Sequence, residues 1–143
     1  MFQRILLAWD GSELALRAFD VAIDLSRRYG AELVAVSIAY SPAHAETEED
    51  RRETADSARR YLTRTFEAVI DRAARAGVEA RQEVIEGSAP ARALADHAHE
   101  HGFDLIVCGH HHHRRAGRLL LRGVARELLE LTSAPVLIVS SQD

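Results

Sequence analysis

Five short apolar runs alternate with segments of helical period along this chain, and that alternation limits the fold more than any other feature of the sequence. The runs are 4–9, 32–39, 78–85, 104–108 and 136–139. Four of them are nearly continuous in aliphatic residues, as parallel strands covered on both faces require. The third, VEARQEVI, mixes apolar and polar positions and is expected at a sheet edge, partly solvated.

The intervening segments read as helices. Segment 13–29 places Leu16, Phe19 and Ile23 on one face. Segment 47–76 repeats Ala55, Ala58, Leu62, Phe66, Val69 and Ala73 at steps of three and four. Two shorter helices are expected over 89–101 and 120–132. Gly30, Gly77 and Gly102 each follow a basic last turn and are the expected helix stops. Ser12 is the expected cap of the first helix and Ser88 of the third, with Pro90 in that helix's first turn. The charge run ETEEDRRE at 47–54 reads as a solvated first turn.

The order β-α-β-α-β-α-β-α-β implies a parallel sheet. Right-handed crossovers with helices on both faces favour the strand order 3-2-1-4-5, a doubly wound α/β fold. At 143 residues the chain is the size of one domain, 1–143. The winding reverses between the first and fourth strands, and ligands of such sheets bind outside the carboxyl ends of the strands at that point. Two segments are thereby nominated. One is Ala8, Trp9, Asp10, Gly11 and Ser12; the other is Cys108, Gly109 and the loop that follows.

Composition removes several function classes. A net charge of −4 argues against a nucleic-acid partner. No apolar run approaches the roughly 20 residues that span a bilayer. The opening segment MFQRILLAWDGS reads as a strand, not an export signal, and the single Cys108 cannot form an intrachain disulfide, so a cytoplasmic protein is expected. Cys108 lies in an apolar strand as a core thiol, and neither a G-x-S-x-G elbow nor an H-E-x-x-H motif occurs. The expectation is a protein that is not an enzyme.

Within the nominated segments, Asp10 has two readings. It holds a magnesium ion or a ligand's hydroxyls, or it caps the turn before the first helix. Trp9 stacks on a base or fills the core. Residues 109–128, GHHHHRRAGRLLLRGVAREL, set glycines before a helix and add Arg114, Arg115, Arg118 and Arg122, which suit phosphate or simply form a solvated basic loop. Seven of the eight histidines lie between positions 97 and 113. His97 and His101 have a metal-ligand spacing, and His110, His111, His112 and His113 form a compact run. A strand of about six residues, roughly 20 Å long, separates the two groups, so one ion cannot join them within one subunit.

The chain resembles the universal stress protein family over nearly its whole length. The resemblance rests on ILLAWDGSELALRAFDVAIDLSRRYGAELVAVSI, EGSAPARALADHA and DLIVCGHHHHRRAGRLLLRGVARELLELTSAPVLIV. It implies a Rossmann-like sheet, a homodimer, a role in survival under stress and, in nucleotide-binding members, ATP in the crevice. The family's ATP signature is a glycine, two residues, a second glycine, nine residues, then glycine followed by Ser or Thr. Gly109 matches the first glycine, while His112 falls at the second and Arg122 at the third, with Gly123 at the hydroxyl position. Alternatively Gly123 supplies the third glycine and Val124 replaces the hydroxyl residue. Asp10 aligns with the family's acidic residue, Ile38 with the residue whose backbone meets adenine, and Val124 with a pocket residue.

The expectation is therefore a non-enzymatic stress-response sensor or interaction module with a degenerate adenine-nucleotide pocket. It is homodimeric through its final strand, Val136 to Val139. The alternatives are an ATP/ADP-binding switch, with magnesium and arginine-assisted phosphate binding, and metal binding by the His110 to His113 run.

Overall fold

The computed structural model describes residues 1–41, 47–110 and 123–141. The elements are β1 (Arg4–Ala8), α1 (Glu13–Tyr29), β2 (Glu32–Tyr40), α2 (Glu48–Glu67), α3 (Asp71–Arg75), β3 (Ala80–Gly87), α4 (Pro90–Glu100), β4 (Leu105–His110), α5 (Val124–Leu131) and β5 (Val136–Ser140). The strands form one parallel sheet in the order β3-β2-β1-β4-β5.

Alternation along each strand sends side chains to two cores. Ile5, Leu7, Leu33, Ala35 and Val107 pack under α1, Phe66 of α2 and Ala73 of α3. Leu6, Val34, Val36 and Ile106 pack under Leu94 and Ala98 of α4 and Leu128 of α5. The inner strands are therefore buried almost end to end, whereas every residue of β5 is partly exposed and β3 is mostly so. Both outer strands are edges, as the alternation in the third run required.

The termini of α1 follow its sequence. Ser12 Oγ accepts the Ala15 amide at 3.1 Å, and Gly30, in the left-handed region, returns its amide to the Ser26 carbonyl. Gly77 and Gly102 also have positive φ.

Three expectations are corrected. The helix over 47–76 is two helices, α2 and α3. Around the adjacent β-branched residues Val69 and Ile70, the Val69, Arg72 and Ala73 amides bond three residues back instead of four, tightening the turn. The third strand begins at Ala80, not Val78, because the Val78 amide turns back to the Ala73 carbonyl at 2.8 Å and its side chain enters the core. Ser88 does not cap α4. The residue before Pro90 is held extended, so Ala89 occupies the cap position with no side-chain bond. The expected helix over 120–132 is α5, described from Val124; residues 120–122 lie outside the described residues.

Candidate functional site

Strands β1 and β4 pair only as far as Leu7 and Val107. Beyond that point β1 stays with β2, through Ala8 beside Val36 and the Trp9 amide on the Val36 carbonyl at 3.0 Å. Strand β4 stays with β5, through Gly109 beside Val139 and His110 beside Ser140. The two strands part company, and the crevice predicted from the winding is the gap this creates.

Ala8, Ile38, Cys108 and Val124 share one buried cluster beneath that gap. Ala8 and Cys108 are fully enclosed in that cluster. Asp10 stands at its rim, 7% exposed, with Oδ1 accepting the Ser12 amide at 2.9 Å. Of its two readings the turn-capping one is thus realised by one oxygen, and the other oxygen is left to the rim.

Trp9 lies apart from this group. Its ring packs edge-on against Phe19 and Phe66 in the opposite core, and its indole N–H donates to Thr65 Oγ1 at 3.1 Å. It fills the core and offers no face to a base.

The two glycines of the site differ. A β-carbon on Gly109 would stand 2.8 Å from Leu14 Cγ and 3.2 Å from the Leu14 carbonyl, so the space left by the missing side chain is used by the start of α1. Gly123 has φ 79° and would meet nothing within 4 Å; it opens α5 with no side chain bonded to the first amides. His112 and Arg122, the other two positions in the glycine register, lie outside the described residues, as do Arg114, Arg115 and Arg118. The described residues therefore suit the nucleoside half of a nucleotide, with a buried-rim carboxylate over an apolar cluster. Of the phosphate register, the described residues include only Gly109 and α5's open start at Gly123.

Two supporting residues escaped sequence reading. Ser37, fully buried in β2, donates to the Trp9 carbonyl at 2.8 Å and accepts from Gln82 Nε2 at 3.2 Å, fixing the end of β1 just before Asp10. A polar residue inside an otherwise apolar strand was its only signal. Thr65 had none, since α2 reaches Trp9 only through the fold.

Burial pushes the Cys108 thiol up to about 11, which removes it as a nucleophile or thiolate ligand at neutral pH. His97, nearly buried, has Nε2 2.8 Å from Glu83 Oε2, and its ring lies 4.3 Å from that of His101. His101 ends α4 shortly before β4 starts, and His110 is the last residue of β4, so the length of that strand separates the two histidine groups. Among the described residues no three His, Cys, Asp or Glu side chains gather as metal ligands; His111, His112 and His113 are outside them. Among the described residues no helix is long and apolar enough to cross a membrane.

A five-stranded doubly wound sheet with a rim carboxylate at its switch point defines a Rossmann-like α/β protein. The sequence model of the universal stress protein family matches residues 1–140, and the chain belongs to that family. It is 31% identical to universal stress protein YxiE of Bacillus subtilis, covering 97% of this chain and 99% of that one. Its fold superimposes on the universal stress protein UspA from Lactobacillus plantarum with a TM-score of 0.83 at 21% identity, covering 96% and 97% of the two chains. A universal stress protein solved in complex with cAMP is 25% identical, with a TM-score of 0.69 over 96% of this chain and 97% of that one.

Proposed function

We propose that this chain is a non-enzymatic stress-response module that binds an adenine nucleotide in the crevice between the carboxyl ends of β1 and β4. The observation that carries the reading is Asp10. A nearly buried carboxylate sits where the two strands diverge, with one oxygen fixed by the Ser12 amide and Ile38 and Val124 in the cluster below. A carboxylate so placed accepts hydrogen bonds from vicinal hydroxyls or holds a magnesium ion. The cAMP complex of a family member supports the ligand class. The arginines of 111–122 take the phosphates, replacing the backbone approach that missing glycines would have given.

The non-enzymatic part rests on groups already committed elsewhere. The Cys108 thiol is buried and protonated, and the Ser12 hydroxyl is a helix cap. A reducing cytoplasm, where Cys108 stays a thiol, is the compartment that goes with this reading.

Calorimetric titration of magnesium-ATP and of cAMP into untagged protein tests it. Saturable binding is expected, weakened at least tenfold by Asp10→Ala. No heat and no thermal shift at millimolar nucleotide overturns it.

A second reading concerns assembly. Strand β5 is apolar and forms an edge, and each of Val136, Leu137, Ile138 and Val139 is partly exposed in the single chain. An apolar edge strand of this kind needs covering. We infer that two copies pair through it. Light scattering across a concentration series is expected to give twice the mass of one chain, and a mass that stays at 15.9 kDa refutes the dimer.

A further inference from the structure

The residue before Asp10 is held from two directions, and the two holds meet. On one side the Trp9 carbonyl accepts the Ser37 hydroxyl at 2.8 Å, and Ser37 accepts Gln82 Nε2 at 3.2 Å. On the other the Trp9 indole donates to Thr65 Oγ1 at 3.1 Å, and Thr65 donates to the Leu62 carbonyl at 3.0 Å. Gln82 Nε2 also donates to that carbonyl, at 3.1 Å, and closes a ring. Trp9 follows β1, Ser37 lies on β2, Gln82 on β3, and Leu62 and Thr65 on α2.

Chemistry fixes the direction of every bond. A carbonyl only accepts and an indole N–H only donates, so each of the two hydroxyls accepts once and donates once. The Gln82 amide must then turn its nitrogen into the ring, and both of its N–H groups are used. Gln82 is the member of the ring that donates both ways. Glu in its place has no donor, and Leu has no polar group.

The ring sets the attitude of Asp10. The Trp9–Asp10 peptide is planar and trans, so the Asp10 N–H points opposite to the Trp9 carbonyl. That carbonyl is drawn to Ser37 on β2. The Asp10 amide therefore points away from β2, to the side where β1 and β4 no longer pair. No described residue accepts it. The same peptide plane places the Asp10 α-carbon, and with it the carboxylate that receives the Ser12 amide at 2.9 Å.

We infer that Gln82 is a positioning residue for Asp10: its two donated bonds hold the Trp9 peptide so that the Asp10 amide and carboxylate face the crevice. Gln82 lies under α2, whereas Ile38 and Val124 belong to the cluster on the other face of the sheet, so it acts through Ser37 and Leu62. For nucleotide affinity this rests on the reading of the crevice given above; for the attitude of Asp10 it does not.

Amide hydrogen exchange on the ligand-free full chain tests the attitude, because the Ser12 amide is bonded to Asp10 Oδ1. In Gln82→Leu the Ser12 amide is expected to exchange at least tenfold faster relative to the Ile106 amide, which is bonded to the Pro135 carbonyl at 2.9 Å. A general loss of stability does not raise that ratio. Ser37→Ala removes the bond to the Trp9 carbonyl itself and gives the same change. In Asp10→Ala the Ser12 amide has lost its acceptor, and adding Gln82→Leu leaves the ratio as it is. Calorimetric titration of magnesium-ATP is expected to show binding at least fivefold weaker in Gln82→Leu. A Ser12 ratio that stays level in both ring variants, or ATP binding by the wild-type chain that Gln82→Leu leaves intact, overturns the inference. A wild-type chain that binds no ATP overturns the nucleotide reading instead, and the exchange ratio still decides what holds Asp10.

Discussion

The indole N–H of Trp9 donates to Thr65 Oγ1 at 3.1 Å, and that hydroxyl donates onward to the Leu62 carbonyl at 3.0 Å. Helix α2 is tied in this way to the end of β1, one residue before Asp10. A β-carbon on Gly11 would lie 3.1 Å from the same Oγ1, so Thr65 also fills the space beneath the turn. Thr65→Val keeps the shape and removes the acceptor. Leaving a buried indole N–H unpaired costs about 1–3 kcal/mol, read as a fall in urea midpoint. In a Trp9→Phe background, which has no donor, the same substitution is expected to cost much less.

Gly109 and Leu14 give a second prediction. Gly109→Ala forces a methyl group into Leu14, and overpacking of this kind costs about 1–3 kcal/mol. Leu14→Ala makes room, so the double variant is expected to be more stable than the sum of the two single losses predicts. Simple additivity in equilibrium unfolding would mean that Leu14 does not occupy that space.

Much of this arrangement could be read from the sequence, and the part that could not has a common cause. Strand order followed from chain order and handedness, and the ends of α1 followed from Ser12 and Gly30, because each depends on residues a few positions apart. The break between α2 and α3 was hidden because Leu62, Phe66, Val69 and Ala73 keep their helical spacing through it. The start of β3 slipped because the Val78 amide chose a helix carbonyl over a strand partner. Asp10, Ile38 and Val124 were nominated by their places at the switch point and by resemblance, and the fold sets Ile38 and Val124 in one cluster with Asp10 after the end of β1. Gly109 was chosen for phosphate, yet its bareness is used by Leu14, more than ninety positions away in the chain. Pattern reading sees periods and caps; it does not see which side chain arrives from elsewhere.

Acid should weaken the fold at a defined place. Burial pushes the Glu83 carboxyl up, but Arg81 and His97 beside it more than offset this and hold it below its ordinary value of 4.5. Arg81 and Arg4 hold Glu32 below the same value. Carboxyls lowered in the folded state contribute their stability above the unfolded value and lose it as pH falls through the folded one. The urea midpoint is expected to stay level above about pH 5.5 and to drop below about 4.5. Glu83→Gln starts lower at neutral pH and drops less. An unchanged acid slope in that variant would separate Glu83 from the effect.

Cys108 sits fully buried in β4, beside Ile138 of β5, with its thiol pushed up to about 11. At pH 8 almost none of it is thiolate, and no reagent reaches it in the folded chain. Labelling with a chromogenic disulfide is expected to be negligible in buffer and complete in urea, with the rate following unfolding. Prompt labelling of the native protein would show that β4 opens on its own.

The sheet is unevenly stitched. Eight residue pairs join β2 to β3, five join β1 to β2 and five join β4 to β5, but only three join β1 to β4. The seam that runs into the crevice is also the seam with the fewest backbone ladders. Among the described residues, past Leu7 and Val107 the sheet is two leaves, β3-β2-β1 and β4-β5, each laced within itself and not to the other.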